Sequence, residues 1–286
     1  MRHTARHASQ HERVVTRRRF LGGAAVVLAA GAGMAALEYG LASGGVDVSG
    51  SFYSRYRRTT VGYTIGYPAG HGPGSVLPLV VMLHGYGGDH TSVPSGMSPA
   101  HVVSLSVNGN TLTPMAMVTV DGGGGYWHPH PDDDPMGMVV HELIPMLQDR
   151  GLGVPPHKIA AMGISMGGYG AIAFAEHYPG IFRAVAAISP AIFATYAWVH
   201  YVNPGAYWSA SDFARYDAIT HVGALRGIPM RIASGQSDPF HPWVEELVAA
   251  LPPGAVVRFP FGGHTDSFFL SQEPPSLAFL SRHLRP

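Results

Sequence analysis

From about residue 46 onward, short unbroken apolar runs alternate with segments of helical periodicity. "YTIGYP" (63–68) reads as an early strand, paired with 52–60 in a hairpin. "PLVVMLHG" (78–85), "MAMVTVDG" (115–122), "KIAAMGI" (158–164), "AVAAISP" (184–190), "MRIASG" (230–235) and "AVVRFPF" (255–261) read as buried strands. The intervening pattern predicts helices over 138–150, 166–177, 241–251 and 276–284, with Pro179 and Pro252 placed to end two of them. Strands that are apolar at every position, alternating with helices, predict an α/β fold. Its central sheet is mostly parallel, with helices on both faces. Residues 46–286 are expected to form one such domain.

Two segments break the alternation. Residues 190–228 are rich in Phe, Tyr and Trp, and fit either a cap over the carboxyl edge of the sheet or a pair of ordinary packing helices. At the N-terminus, Arg17, Arg18 and Arg19 precede a weakly apolar, Ala/Gly-rich run from Phe20 to Leu37. A charged stretch followed by an apolar one is an export address. Thr16-Arg17-Arg18-x-Phe20-Leu21 resembles the twin-arginine signal of bacteria, and Gly40 and Ala42 are the small residues before a cleavage site. The alternative is an uncleaved anchor, because about 18 residues is near the lower limit for crossing a bilayer. Either way, residues 1–45 are expected to take no part in the domain's fold. The rest of the chain is expected beyond the bacterial cytoplasm, secreted or in the cell envelope, with the twin-arginine machinery as a partner.

Composition narrows the chemistry. The 286 residues are 46% hydrophobic and 13% charged, which excludes general disorder. Residues 1–42 hold six Arg and two Glu; 12 basic and 16 acidic residues remain beyond them, so a nucleic-acid partner is not expected. There is no cysteine, hence no disulfide, thiolate nucleophile or Cys-ligated metal. "YWHPHPDDDP" (126–135) gathers His and Asp, but its prolines break any regular ligand spacing, and no metal is assigned.

Gly163-Ile164-Ser165-Met166-Gly167 lies between a predicted strand and a predicted helix. The pattern alone is weak among 21 serines and 37 glycines, but this context suits a nucleophile held on a strained turn. Met166 opens the helix, so its N–H is free to meet a substrate oxygen. A second donor is expected from His84-Gly85-Tyr86-Gly87-Gly88, after another buried strand, with Tyr86 supplying the N–H. Asp238 and His264 each follow a later strand, in the order a Ser/acid/His triad requires. His84, Trp127 and His128 are expected to line the substrate site.

Together, "HGYGG", "VDGGGGYWHP", "HELIPML", "MGISMGGYGAI", "FRAVAAISPAIF", "SGQSDPF" and "GGHTDSFF" resemble the putative-esterase branch of the α/β-hydrolase superfamily. That branch includes S-formylglutathione hydrolases, feruloyl esterases and antigen 85 mycolyltransferases. The resemblance implies Ser165 as nucleophile, Asp238 and His264 as its partners, Tyr86 and Met166 as oxyanion donors, a small-molecule or lipid ester as substrate, and no cofactor. The export signal departs from the cytosolic formylglutathione hydrolases. Asp238 and Gly167-Gly168 depart from the antigen 85 pattern. Hydrolysis through an acyl-serine is the expected activity. The alternatives are acyl transfer to a sugar or lipid alcohol, and a non-catalytic cell-envelope binding protein on the same scaffold.

Overall fold

Over the described residues the main sheet has nine strands, the two-residue edge strand Arg13–Val14 and eight longer ones. The longer ones are β1 (Val46–Ser54), β2 (Thr59–Tyr67), β3 (Leu79–Leu83), β4 (Ala116–Val120), β5 (Ile159–Ile164), β6 (Phe182–Ile188), β7 (Met230–Ala233) and β8 (Val256–Arg258). The structure, a computed structural model, describes residues 13–14, 39–41 and 44–285, except 94, 95, 108, 156 and 157. The twin-arginine motif and the apolar run from Phe20 to Leu37 lie outside the described residues. Within the same N-terminal stretch, Arg13–Val14 pairs antiparallel with β1, and Tyr39–Leu41 joins Leu105–Val107 and Asn110–Thr111 in a small antiparallel sheet. No helix among the described residues is long and apolar enough to cross a membrane.

The strand order is β1-β2-β4-β3-β5-β6-β7-β8. β1 and β2 form an antiparallel hairpin with Val46 opposite Tyr67 and Ser54 opposite Thr59; β2 is antiparallel to β4, and all later pairs are parallel. The mostly parallel sheet expected from the apolar runs is therefore present. The hairpin begins at Val46 rather than at residue 52. Gly50 within β1 vacates the space taken by the Tyr63 ring: a Cβ there would lie 2.5 Å from its hydroxyl.

Side-chain alternation divides the core in two. Leu79, Val81 and Leu83 of β3 join one cluster with Ile172 and Phe174, while Val80 and Met82 join another with Val102 and Leu280. The helices on these faces are α1 (Pro99–Val103), α2 (Pro135–Met138), α3 (Ile144–Gln148), α4 (Met166–His177), α5 (Tyr196–Val202), α6 (Ala210–Tyr216), α7 (His241–Ala250) and α8 (Asp266–His283). A π-helical turn, Val139–Leu143, joins α2 to α3. α4 is buried from Met166 to Glu176, as its nearly uniform Ala/Gly/aromatic sequence demands. α8 starts ten residues before the predicted position and runs through Pro274 and Pro275, which the sequence pattern places ahead of the helix. Thr265 caps it by accepting from the Phe268 N–H, and the Ser276 hydroxyl donates back to the Gln272 carbonyl just past the prolines. Residues 190–228 fold as α5, α6 and the 3₁₀ turn Val222–Leu225.

β4 lies on one side of β3 and β5 on the other, so the chain reverses its winding there. Such reversals open a crevice at the carboxyl ends of the strands. Gly85 follows β3 and Ser165 follows β5, so both stand at that crevice.

Candidate active site

Ser165 sits between β5 and α4 with φ 52° and ψ −120°, a conformation that costs an ordinary residue about 1–3 kcal/mol. Three backbone hydrogen bonds hold it there. Its N–H donates to the Ile188 carbonyl at 3.0 Å, and its own carbonyl accepts from Ala191 and Tyr169 at 3.0 and 3.1 Å. The flanking glycines are steric requirements. A Cβ at Gly163 would stand 2.1 Å from the Gly167 carbonyl oxygen, and one at Gly167 would stand 2.0 Å from that of Leu83. The pentapeptide thus folds only where β3, β5 and α4 nearly touch.

His264 lies on the loop after β8. Its Nε2 is 2.9 Å from Ser165 Oγ and its Nδ1 is 2.9 Å from Asp238 Oδ2. The carboxylate at Nδ1 fixes the tautomer: Nδ1–H donates to Asp238, and Nε2 is left to accept from the serine hydroxyl. The ring is held between Phe240 and Phe269, each with its centroid 5.0 Å away. The Asp238 side chain is fully buried. Burial works to raise its pKa, but the bonds from His264 and from the Phe240 N–H at 2.9 Å prevail, and the carboxyl titrates below its usual value. The loops carrying Asp238 and His264 are laced together: Ser237 N–H donates to the Gly262 carbonyl at 2.8 Å and Gln236 N–H to that of Pro260 at 3.1 Å.

Across the crevice, a Cβ on Gly85 would lie 3.5 Å from that of Ser165, so the loop leading into Tyr86 runs beside the serine. Met166 is the first residue of α4, and its N–H has no carbonyl within the helix to bond. No acceptor among the described residues engages the Tyr86 N–H.

The structure corrects the expectation that His84, Trp127 and His128 touch substrate. All three are buried, and they brace the loops instead. His84 Nε2 accepts from the Gly122 N–H at 3.0 Å and its Nδ1–H donates to the Gly85 carbonyl at 2.8 Å, which fixes the start of the glycine loop. Burial, the largest influence, lowers the His84 pKa and suits a neutral ring that must accept at Nε2. The Trp127 indole N–H donates to the His84 carbonyl at 3.1 Å, and its ring fills space left by Gly122 and Gly170. His128 is stacked between Tyr207 and Tyr216, with Nε2–H donating to the Ala206 carbonyl at 2.7 Å; burial drives its pKa down to about 4.

The three aspartates of "PDDDP" serve the same bracing. Asp133 takes the Arg57 guanidinium through two bonds of 2.7 and 2.8 Å, Asp132 pairs with Arg58, and Asp134 caps α2 by accepting from Gly137. Arg57 also donates to the Asp121 carbonyl at 2.7 Å. Among the described residues no group of three His, Asp or Glu side chains is arranged to hold a metal ion.

The surroundings of the triad that sequence reasoning missed are aromatic. Tyr126, in a left-handed conformation (φ 54°), packs against Phe193, and Phe193 meets Phe240 edge-on at 5.2 Å. A hydroxyl activated by a neutral imidazole, beside unengaged backbone N–H groups, is equipped for acyl transfer from an ester.

The "Putative esterase" family model matches residues 57–252 of the chain. Among solved structures, a ferulic acid esterase is similar with a TM-score of 0.70 and 18% identity, over 85% of this chain and 99% of that one. An S-formylglutathione hydrolase from Agrobacterium tumefaciens has a TM-score of 0.64 and 21% identity, over 86% and 98%. A fluorophosphonate-binding serine hydrolase of Staphylococcus aureus, FphF, has a TM-score of 0.66 and 16% identity, over 84% and 99%. No curated protein sequence matches the chain.

Proposed function

The chain belongs to the putative-esterase family, so it is a carboxylic-ester hydrolase, and from that premise we propose an exported serine esterase working through Ser165, His264 and Asp238. The observation that carries the assignment of residues is the unbroken relay of two 2.9 Å contacts, from Ser165 Oγ through the His264 ring to a buried Asp238. In this reading Ser165 Oγ forms a bond to the ester carbonyl carbon while His264 Nε2 takes the hydroxyl proton. The carbonyl electron pair moves onto oxygen, where the Tyr86 and Met166 N–H groups receive it. Collapse breaks the bond to the alcohol, which leaves with the proton from His264. Water then repeats the sequence on the acyl-serine. Asp238 holds the ring and offsets the imidazolium charge without itself being protonated.

An alkyl fluorophosphonate tests the nucleophile directly. It should bind covalently and stoichiometrically, with the added mass on the peptide containing Ser165. Adduct formation elsewhere, or none, would remove the assignment. Water is the expected acceptor: adding a sugar or fatty alcohol to a turnover assay should leave free acid as the main product. Predominant transfer to the alcohol would establish the acyltransferase alternative instead.

Export is the second part of the reading, supported by Arg17-Arg18-Arg19-Phe20-Leu21 ahead of the apolar run. Replacing Arg17 and Arg18 by lysine should retain the precursor inside the cell. Unchanged secretion of that variant would exclude the twin-arginine route.

A further inference from the structure

The serine-esterase reading leaves one surface without a use. α5 is exposed on nearly its whole circumference, with only Val199 buried. Trp198 is 46% exposed, Tyr201 80% and Val202 52%. From Ala184 to Ser211 the chain has no Asp, Glu, Lys or Arg. An exposed helix facing only water normally carries charge on that face. One tipped with Trp and Tyr and carrying none marks a surface that meets something apolar and neutral.

This face is continuous with the triad. The His264 ring contacts Phe240 at 5.0 Å and Phe240 contacts Trp243 at 6.2 Å. Trp243 contacts Trp198 at 6.0 Å, and Trp198 stacks on Tyr201 at 5.7 Å. The rings pass from half-buried Phe240 and Trp243 to exposed Trp198 and Tyr201, so they form an apolar row running outward from His264. Whatever covers its outer end is joined to what enters the site. A short or single-ring acyl group would end beside Phe240. Only a long flexible chain would reach Trp198 and Tyr201.

We propose that Phe240, Trp243, Trp198 and Tyr201 form an acyl track, and that the substrates are esters of long, unbranched fatty acids. The proposal rests on the serine-esterase reading. It makes Trp198 and Tyr201 determinants of chain-length preference, with no part in the bond-making step. Contact of methylenes with the rings supplies the binding.

The test compares p-nitrophenyl acetate, octanoate and dodecanoate, with a p-nitrophenyl cinnamate arm, on the wild type, on Trp198→Ala/Tyr201→Ala and on Tyr201→Asp. The last changes a solvent-exposed position and guards against misfolding of the double variant. In the wild type, kcat/KM should rise with chain length and dodecanoate should exceed cinnamate. In both variants dodecanoate should lose at least about fivefold, mainly through KM, while acetate stays within about twofold. Rates below and above the aggregation concentration of dodecanoate separate a single bound chain from a lipid surface, and the track serves either. A dodecanoate-to-acetate ratio that survives both variants overturns the proposal, as does a preference for cinnamate. A dimer that Tyr201→Asp dissociates would put a second copy on this face and also overturn it. Wild type inactive even on acetate would instead strike the serine-esterase reading beneath it.

Discussion

Ser165→Ala should lower kcat on a soluble ester by about 10⁴- to 10⁶-fold, a loss of roughly 5–8 kcal/mol of barrier reduction, with little change in fold. The fold is expected to survive because the substitution keeps Cβ and removes only the hydroxyl, while the bonds that hold the turn are made by backbone atoms of residue 165. In the proposed mechanism the residual rate comes from the Tyr86 and Met166 N–H groups and from binding alone. The sharper form of the expectation is non-additivity. Once Oγ is gone, His264 has no proton to accept, so Ser165→Ala/His264→Ala should be no slower than Ser165→Ala. If the losses from the two single variants add in full, the two residues act independently, and the relay drawn from the 2.9 Å contact is wrong.

The features legible in the sequence are those that depend on local chemistry. Parallel strands buried on both faces must be apolar at every position, so β3, β4 and β5 announce themselves. Gly163 and Gly167 mark a backbone approach that admits no Cβ, which places Ser165 at a strand-to-helix turn. Asp238 and His264 could be located because each follows a strand. What escapes is set by packing between distant segments. Trp127 and His128 look like recognition residues because aromatic and imidazole side chains in a glycine-rich loop can serve a ligand. Their burial depends on Gly170 of α4 and on Tyr207, some 43 to 79 positions away. The triple aspartate looks like a ligand cluster until Arg57 and Arg58 arrive from the β1–β2 turn to take two of its carboxylates. The prolines of α8 mislead for the converse reason, because a local rule predicts a break that the packed helix overrides.

Glu176→Gln should make the protein more stable at pH 8 while changing it little at pH 5. Glu176 lies near the end of α4, is buried, and among the described residues has no hydrogen-bond partner for either carboxyl oxygen. Burial first, and the nearby Asp217 charge second, raise its pKa to about 9. The carboxyl-terminal end of the helix dipole adds to the same preference for the neutral acid. The neighbouring His177 is itself partly buried, which lowers its pKa, so that ring supplies no compensating cation at neutral pH. The sign follows from proton counts. Between about pH 4.5 and 9 the folded chain keeps a proton at residue 176 that the unfolded chain has lost, so stability is full below that window and declines as pH rises through it. The limiting slope is about 1.4 kcal/mol per pH unit. Gln carries the same buried polar bulk with no ionisation, so the variant should match wild type at pH 5 and exceed it by at least about 2 kcal/mol at pH 8. Urea unfolding at the two pH values reads the difference, and titrations elsewhere cancel in the comparison. Equal gains at both pH values would mean that ionisation of Glu176 is not the cause. Because α4 begins just after Ser165 and Glu176 lies near its end, the alkaline penalty falls on the helix that follows the proposed nucleophile.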